Sequence, residues 1–295
     1  MHERRLHTRE SLLARRGHRR RAHLRRRVAA VATLAVLLVL GLAAFTRGGS
    51  HAAAAQATPA ATLLVEQHPS IFPKRDRVAT LPYVAVAGRR GREIALTFDD
   101  GPGPYTLDVV RTLHRLRTPG TFFQVGTTEH YFTDAQQAEL SDPLVTIGDH
   151  TQNHRRLDHL SRPEQGKEID AQAAVLRAAG APAPAMFRPP YGAYDAATLA
   201  LLRERHMTMV LWSVDSEDYR RPGVDAIVAN VLSAAKPGAI VLLHDAGGDR
   251  SQTIAALPRI VKGLRDRHYT LVSIPQLLHD APPPLKQPAM GIGAG

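Results

Sequence analysis

From residue 93 to residue 278, short apolar runs alternate with longer stretches in which apolar residues recur at helical spacing. The runs at 93–98, 121–126, 144–148, 185–188, 207–212, 239–244 and 270–274 each read as a strand. Helical spacing covers 105–116, 133–140, 162–179, 196–205, 224–235 and 254–267. Such alternation predicts parallel β/α units, in an open sheet or a barrel. The strand count and the placement of polar residues favour an α/β fold of the second kind, a distorted, incomplete (β/α) barrel of about seven strands.

The first strand runs into Thr97-Phe98-Asp99-Asp100-Gly101-Pro102. Gly and Pro stop the strand and turn the chain, leaving two adjacent carboxylates at its end. Side chains along a strand point alternately to opposite faces, so these acids share one centre only if the backbone bends between them. Other polar residues keep the same placement. His150 and His154 follow the third predicted strand, Arg188 the fourth, Asp215 the fifth, and His244 with Asp245 the sixth. In parallel β/α folds the C-terminal strand ends share one face, which predicts a single pocket for all of them.

Ahead of this domain the pattern changes. Residues 28–45 form an apolar run without a charged residue, preceded by an Arg-rich segment and closed by Arg47. A bilayer needs about 20 such residues, and the basic flank predicts residues 1–27 in the cytoplasm, a signal anchor at 28–46 in the cell membrane, and the remainder outside. A secretory signal cleaved near Ala52 to Ala55 is the competing reading and also exports the remainder. The Ala-rich stretch 47–70 reads as a flexible linker, 71–280 as the functional domain, and the Pro- and Gly-rich 281–295 as a disordered tail. Charge follows the same division. Of 38 basic and 27 acidic residues, 12 and 2 lie in 1–47, which leaves 26 against 25 for the rest. Of the net charge of +11, +10 therefore belongs to the N-terminus, where it is expected to meet anionic lipid heads and not nucleic acid.

The chain has no Cys, which excludes disulfides, thiol nucleophiles and thiolate ligands. His150-Thr151-Gln152-Asn153-His154 sets two imidazoles four apart, a spacing that on a helical turn brings both within reach of one ion. Two His and one Asp make a three-ligand set for Zn²⁺ or another divalent first-row ion, with positions left for water and substrate. In a chain with 15 His, solvated surface imidazoles are the alternative. Consecutive prolines stiffen Arg188-Pro189-Pro190-Tyr191-Gly192, and Arg188 is suited to a bidentate pair with a carboxylate. His244 ends an apolar strand, where a buried structural His is the default. The neighbouring strand ends at Asp215, a carboxylate able to fix the imidazole tautomer and keep it protonable.

Five ordered motifs, T-F-D-D-G-P from Thr97, H-T-x-x-H from His150, R-P-P-Y-G from Arg188, D-x-x-D-Y from Asp215 and L-L-H-D from Leu242, resemble those of the polysaccharide deacetylases of carbohydrate esterase family 4. The resemblance covers roughly 93–278 and implies metal-dependent removal of N-acetyl, sometimes O-acetyl, groups from a glycan. It implies Asp100, His150 and His154 as ligands of Zn²⁺, or of Co²⁺ or another first-row ion, and Asp99 as general base oriented by Arg188. It further implies the Tyr191 backbone N–H at the oxyanion, His244 as general acid tuned by Asp215, and Leu242 and Leu243 at the pocket for the acetyl methyl. Where the family commonly has Trp this chain has Tyr219, which keeps an apolar face for a sugar ring and adds a hydroxyl. The implied partner is an extracellular or cell-wall glycan such as peptidoglycan or a chitin-like polymer. Two other readings stand beside it: a catalytically silent glycan-binding protein, which predicts a broken ligand or acid position, and a metal amidohydrolase for a small substrate, which predicts an enclosed pocket.

Overall fold

A computed structural model describes residues 81–288. The segments expected at 1–27, 28–46 and 47–70 lie outside the described residues, together with 71–80 and 289–295. Among the described residues no helix is long and apolar enough to cross a membrane.

The chain runs β1 (Glu93–Asp99), α1 (Thr106–Arg115), β2 (Gly120–Gln124), the single turn α2 (Gly126–Glu129), α3 (Thr133–Ser141), β3 (Val145–Asp149), α4 (Arg162–Ala178), β4 (Met186–Phe187) and α5 (Ala196–Glu204). It continues through β5 (Thr208–Met209), β6 (Val214–Asp215), α6 (Val224–Ala234), β7 (Ile240–His244), α7 (Ser251–Asp266), β8 (Thr270–Leu271) and α8 (Ile274–Asp280). Seven strands follow the order β5-β4-β3-β2-β1-β7-β6, and β8 pairs with the start of β1. All pairings are parallel. This is the incomplete α/β barrel that the strand count and the placement of polar residues favour.

The break in the barrel follows the run expected as a strand at 207–212, which shortens to β5. β5 pairs with β4, β6 at Val214–Asp215 pairs with β7, and the residues between them span the two edges of the sheet. Val84 bridges to Val210 and Val86 to Ala239, so the N-terminal stretch links those edges. Its remaining backbone groups need partners. Gln287 provides them, accepting the N–H groups of Ala85 at 2.8 Å and Val86 at 3.0 Å and donating to the Val86 carbonyl at 3.2 Å. Residues 281–288, expected to fray, are held by these bonds.

Parity along the strands divides the core. Ile94, Leu96 and Phe98 of β1 join Val241 and Leu243 of β7 beneath the apolar faces of α1, α6 and α7. Ala95 and Ile240 belong to a second cluster with Phe123, Met186 and the α8 residues Ile274, Leu277 and Leu278. Each of these large side chains contributes about 1.5–3 kcal/mol on full burial. Gly148 lets Phe123 fill the interior, since a Cβ there would lie 2.6 Å from its ring. Ser161 and Glu164 start α4 with a reciprocal capping box, and α4 in turn supports the loop that follows β3.

Candidate active site

The parity that sends Phe98 outward leaves Thr97 and Asp99 on the other face of β1. Left-handed backbone at Asp100, φ 76°, then supplies the bend that two adjacent acids require. The Asp100 carboxylate lies against Gly247, where a Cβ would fall 2.2 Å from Oδ2, so this wall of the site is bare backbone.

Arg188 is fully buried and reaches Asp99 through one donor, not as the bidentate pair its fork allows. Its Nη1 donates to Asp99 Oδ1 at 2.7 Å and to Thr97 Oγ1 at 2.8 Å, while Nε and Nη2 donate to the carbonyls of Val210 and Leu211. The guanidinium also lies 4.2 Å from the centre of the Phe123 ring. With its donors divided among four acceptors, the fork has one orientation and fixes that of Asp99.

The expected helical turn from His150 to His154 is absent. Thr151 and His154 both take left-handed backbone, at φ 71° and 53°, and the segment is a bent loop. Thr151 Oγ1 accepts the His154 N–H at 3.0 Å, and Glu168 of α4 accepts both N–H groups offered by Asn153. The imidazoles still meet, with ring centres 5.0 Å apart. From Asp100 Oδ1 the Nε2 atoms of His154 and His150 stand 3.0 and 3.6 Å away. One donor atom from each of Asp100, His150 and His154 lies within 4.8 Å of the others. His150 Nδ1 is 2.6 Å from the Arg188 carbonyl, which holds the proton on Nδ1 and leaves Nε2 as a ligand. Two imidazole nitrogens and one carboxylate fit a first-row divalent ion. Burial opposes ionisation of Asp100, but the imidazoles of His150, His154 and His244 close by outweigh it and hold the carboxyl well below its usual range.

His244 stands opposite Asp99 in the register of β1 and β7. Its partner is Asp218, not the predicted Asp215. Asp218 Oδ1 lies 2.7 Å from His244 Nδ1, and Oδ2 accepts the His244 N–H at 2.8 Å and the Thr253 hydroxyl at 2.7 Å. Asp215 Oδ1 instead accepts the Glu217 N–H at 2.8 Å, and left-handed backbone at Glu217, φ 56°, brings Asp218 to the histidine. Both acids stand in the D-x-x-D-Y motif, so the signal was present and the choice between them was not. Burial pulls the imidazolium down, but the charge and hydrogen bond of Asp218 lift His244 to about 9.

The remaining expected residues divide. Leu242 shares the His244 face of β7, whereas Leu243 points the other way and packs with Phe98 under the helices, so it cannot line an acetyl pocket. Tyr191 is 61% exposed in left-handed backbone, φ 61°, with its ring centre 4.8 Å from that of His154. Tyr219 is 37% exposed and meets the His244 ring edge-on at 5.6 Å. Two aromatic faces thus flank the imidazoles at the surface.

A family profile described as polysaccharide deacetylase matches residues 87–210. A chitooligosaccharide deacetylase of Bradyrhizobium sp. (strain ANU 289) is 39% identical over an alignment of 203 residues that covers 63% of this chain and 90% of that protein. A peptidoglycan-N-acetylglucosamine deacetylase of Bacillus cereus is 37% identical over 193 residues, 63% of this chain and 87% of the relative. Among solved structures, the Bc1960 peptidoglycan N-acetylglucosamine deacetylase superposes with a TM-score of 0.65 at 29% identity, over 68% of this chain and 94% of that one. Spanning such relatives nearly end to end, and carrying its acids and imidazoles at the strand ends of the same fold, the chain belongs to the polysaccharide deacetylase family.

Proposed function

We propose that this chain hydrolyses the acetamide of N-acetylated amino sugars in a polysaccharide, peptidoglycan or a chitin-like glycan, outside the cytoplasm. One observation carries the reading: Asp99 and His244 are register neighbours, each fixed by its own buried counter-charge, beside a three-donor metal set. Asp100, His150 and His154 would hold a divalent ion, most simply Zn²⁺, which would supply Lewis acidity toward a carbonyl and a water near neutral pH.

The other roles fall to side chains. Asp99, oriented by Arg188, takes the proton of the attacking water. The Tyr191 N–H donates to the oxygen that becomes negative. An amine leaves only once protonated, and His244, kept protonated by Asp218, delivers that proton to the sugar nitrogen. Each proton transfer contributes typically about 10²- to 10⁴-fold. Leu242 offers an apolar contact for the acetyl methyl, and Tyr191 and Tyr219 offer faces for sugar rings. The names of the relatives support an amino-sugar substrate. The apolar run within 28–46, between an Arg-rich flank and Arg47, supports a membrane anchor with the domain outside.

The test is acetate release by the full chain from peptidoglycan and from chitin oligomers, with and without chelator. Release that stops on chelation and returns with Zn²⁺ or Co²⁺ is expected. No release from either polymer with metal supplied overturns the reading.

A further inference from the structure

The turn that carries Asp218 to His244 continues through Tyr219, Arg220 and Arg221. Because Tyr219 abuts the His244 ring, this turn borders the place where the sugar nitrogen receives its proton. Arg220 folds back on its neighbour, with Nε 3.3 Å from Tyr219 Oη and the guanidinium carbon 5.6 Å from the ring centre. Arg221 follows in left-handed backbone, φ 54°, and both arginines are exposed. Arg155 and Arg156, which follow His154 on the same face of the barrel, are matched to Glu164 and Asp158 at 3.8 and 2.8 Å. Arg220 and Arg221 enter no ion pair among the described residues. The acids whose charge reaches them are Glu217, Asp215 and Asp249, none at ion-pair distance.

Solvated arginines in a turn need no purpose. What sets Arg220 apart is its posture: Nε is engaged by the tyrosine hydroxyl, and the terminal amino groups make no hydrogen bond among the described residues. A Trp in place of Tyr219 could not hold it so, since the indole nitrogen donates and does not accept.

We propose that Arg220 and Arg221 form a carboxylate subsite at the general-acid end of the cleft. It selects a polymer in which the acetylated amino sugar alternates with a sugar bearing a free carboxylate, as the lactyl ethers of peptidoglycan strands do once their stem peptides are removed, over a neutral chitin-like homopolymer. The inference rests on the deacetylase reading and narrows its substrate. Alternation places an acid on the sugars adjoining the reacting one, and guanidinium groups bind carboxylates through paired N–H donors.

The test compares kcat/KM for acetate release by the metal-loaded full chain on peptide-free peptidoglycan strands, on the same strands with their lactyl carboxylates amidated, and on chitin oligomers. Amidation is expected to slow the wild type about tenfold. The combined Arg220→Ala and Arg221→Ala change is expected to lower the ratio of strand to chitin turnover by a similar factor, Tyr219→Phe by less, and added salt should erode the preference. An unchanged ratio, or indifference of the wild type to amidation, overturns the subsite and leaves the deacetylase standing. Absence of acetate from all three substrates overturns the deacetylase reading itself.

Discussion

One carboxylate, Asp218, meets His244 twice, at the ring Nδ1 from 2.7 Å and at the backbone N–H from 2.8 Å. The first contact sets the charge of the imidazole and the second fixes where it stands. Burial alone would lower the His244 pKa, yet the Asp218 charge and bond raise it to about 9, with smaller contributions from Asp100 and Asp99.

The consequence is a pH dependence with a definite sign. A general acid must be protonated, so turnover should fall as pH rises through about 9. In Asp218→Asn the alkaline limb should move down toward the ordinary histidine value near 6.5. The same pair contributes stability that is complete below about 6.5 and is lost as pH rises through about 9. A pH–rate profile of Asp218→Asn beside Asp215→Asn checks the assignment. Should Asp215→Asn move the limb and Asp218→Asn leave it in place, the partner is the predicted residue after all.

Arg188 divides its donors among Asp99, Thr97 and two carbonyls in the interior. Lysine keeps the charge but has no planar fork to serve these acceptors together. Arg188→Lys should lower turnover by about 100-fold or more through misplacement of Asp99. Arg188→Ala, which leaves Asp99 buried without its counter-charge, should cost about 3–5 kcal/mol of stability. Denaturant unfolding and acetate assays on the two variants read these effects separately. Near-wild-type turnover in Arg188→Lys would show that Asp99 needs no fork to hold it.

What the chain announces, and what it conceals, follows from the kind of information each feature needs. Asp99, Asp100, His150, His154, Arg188 and His244 were legible because each closes or follows a parallel strand, and topology alone then gathers them. Parity was legible too, and applied to β7 it separates Leu242 from Leu243, a step that the motif by itself does not take. The choice of Asp218 over Asp215 hangs on left-handed backbone at Glu217, a non-glycine residue whose identity gives no hint of it. The His150 loop hides in the same way, since four-residue spacing suits a helix as well as a bend through Thr151 and His154. The shortening of the run at 207–212 to β5 is invisible because the chain stays apolar to Trp212 while its hydrogen-bonding partner changes from β4 to Val84 and, from Ser213 on, to β7. The acids buried behind the site, Glu129, Glu139 and Asp149, gave no sign at all, because acids in such stretches ordinarily face solvent.

Glu139 offers a prediction of its own. Gln124 Nε2 donates to Glu139 Oε2 at 2.6 Å, while Glu139 Oε1 and Gln124 Oε1 are both buried without a partner. A proton on Glu139 gives the pair the donor that it lacks. Burial, with the charges of Asp245 and Glu129 adding to it, raises the Glu139 pKa well above its ordinary value. A raised carboxyl pKa means stability present below about 4.3, the unfolded value, and lost as pH rises through the folded one. Glu139→Gln keeps the shape and cannot ionise, so it should flatten the decline of thermal stability on the alkaline side. A decline as steep as in the wild type would show that Glu139 does not contribute to it.

The central claim is that Asp99 acts as a base beside a metal held by other residues. It is tested most directly by measuring bound metal and acetate release on one preparation of Asp99→Asn. The expected result is a divalent ion retained at the wild-type level together with turnover lowered by about 10²- to 10⁴-fold. Turnover within a few-fold of wild type, or loss of the ion along with the carboxylate, would contradict it.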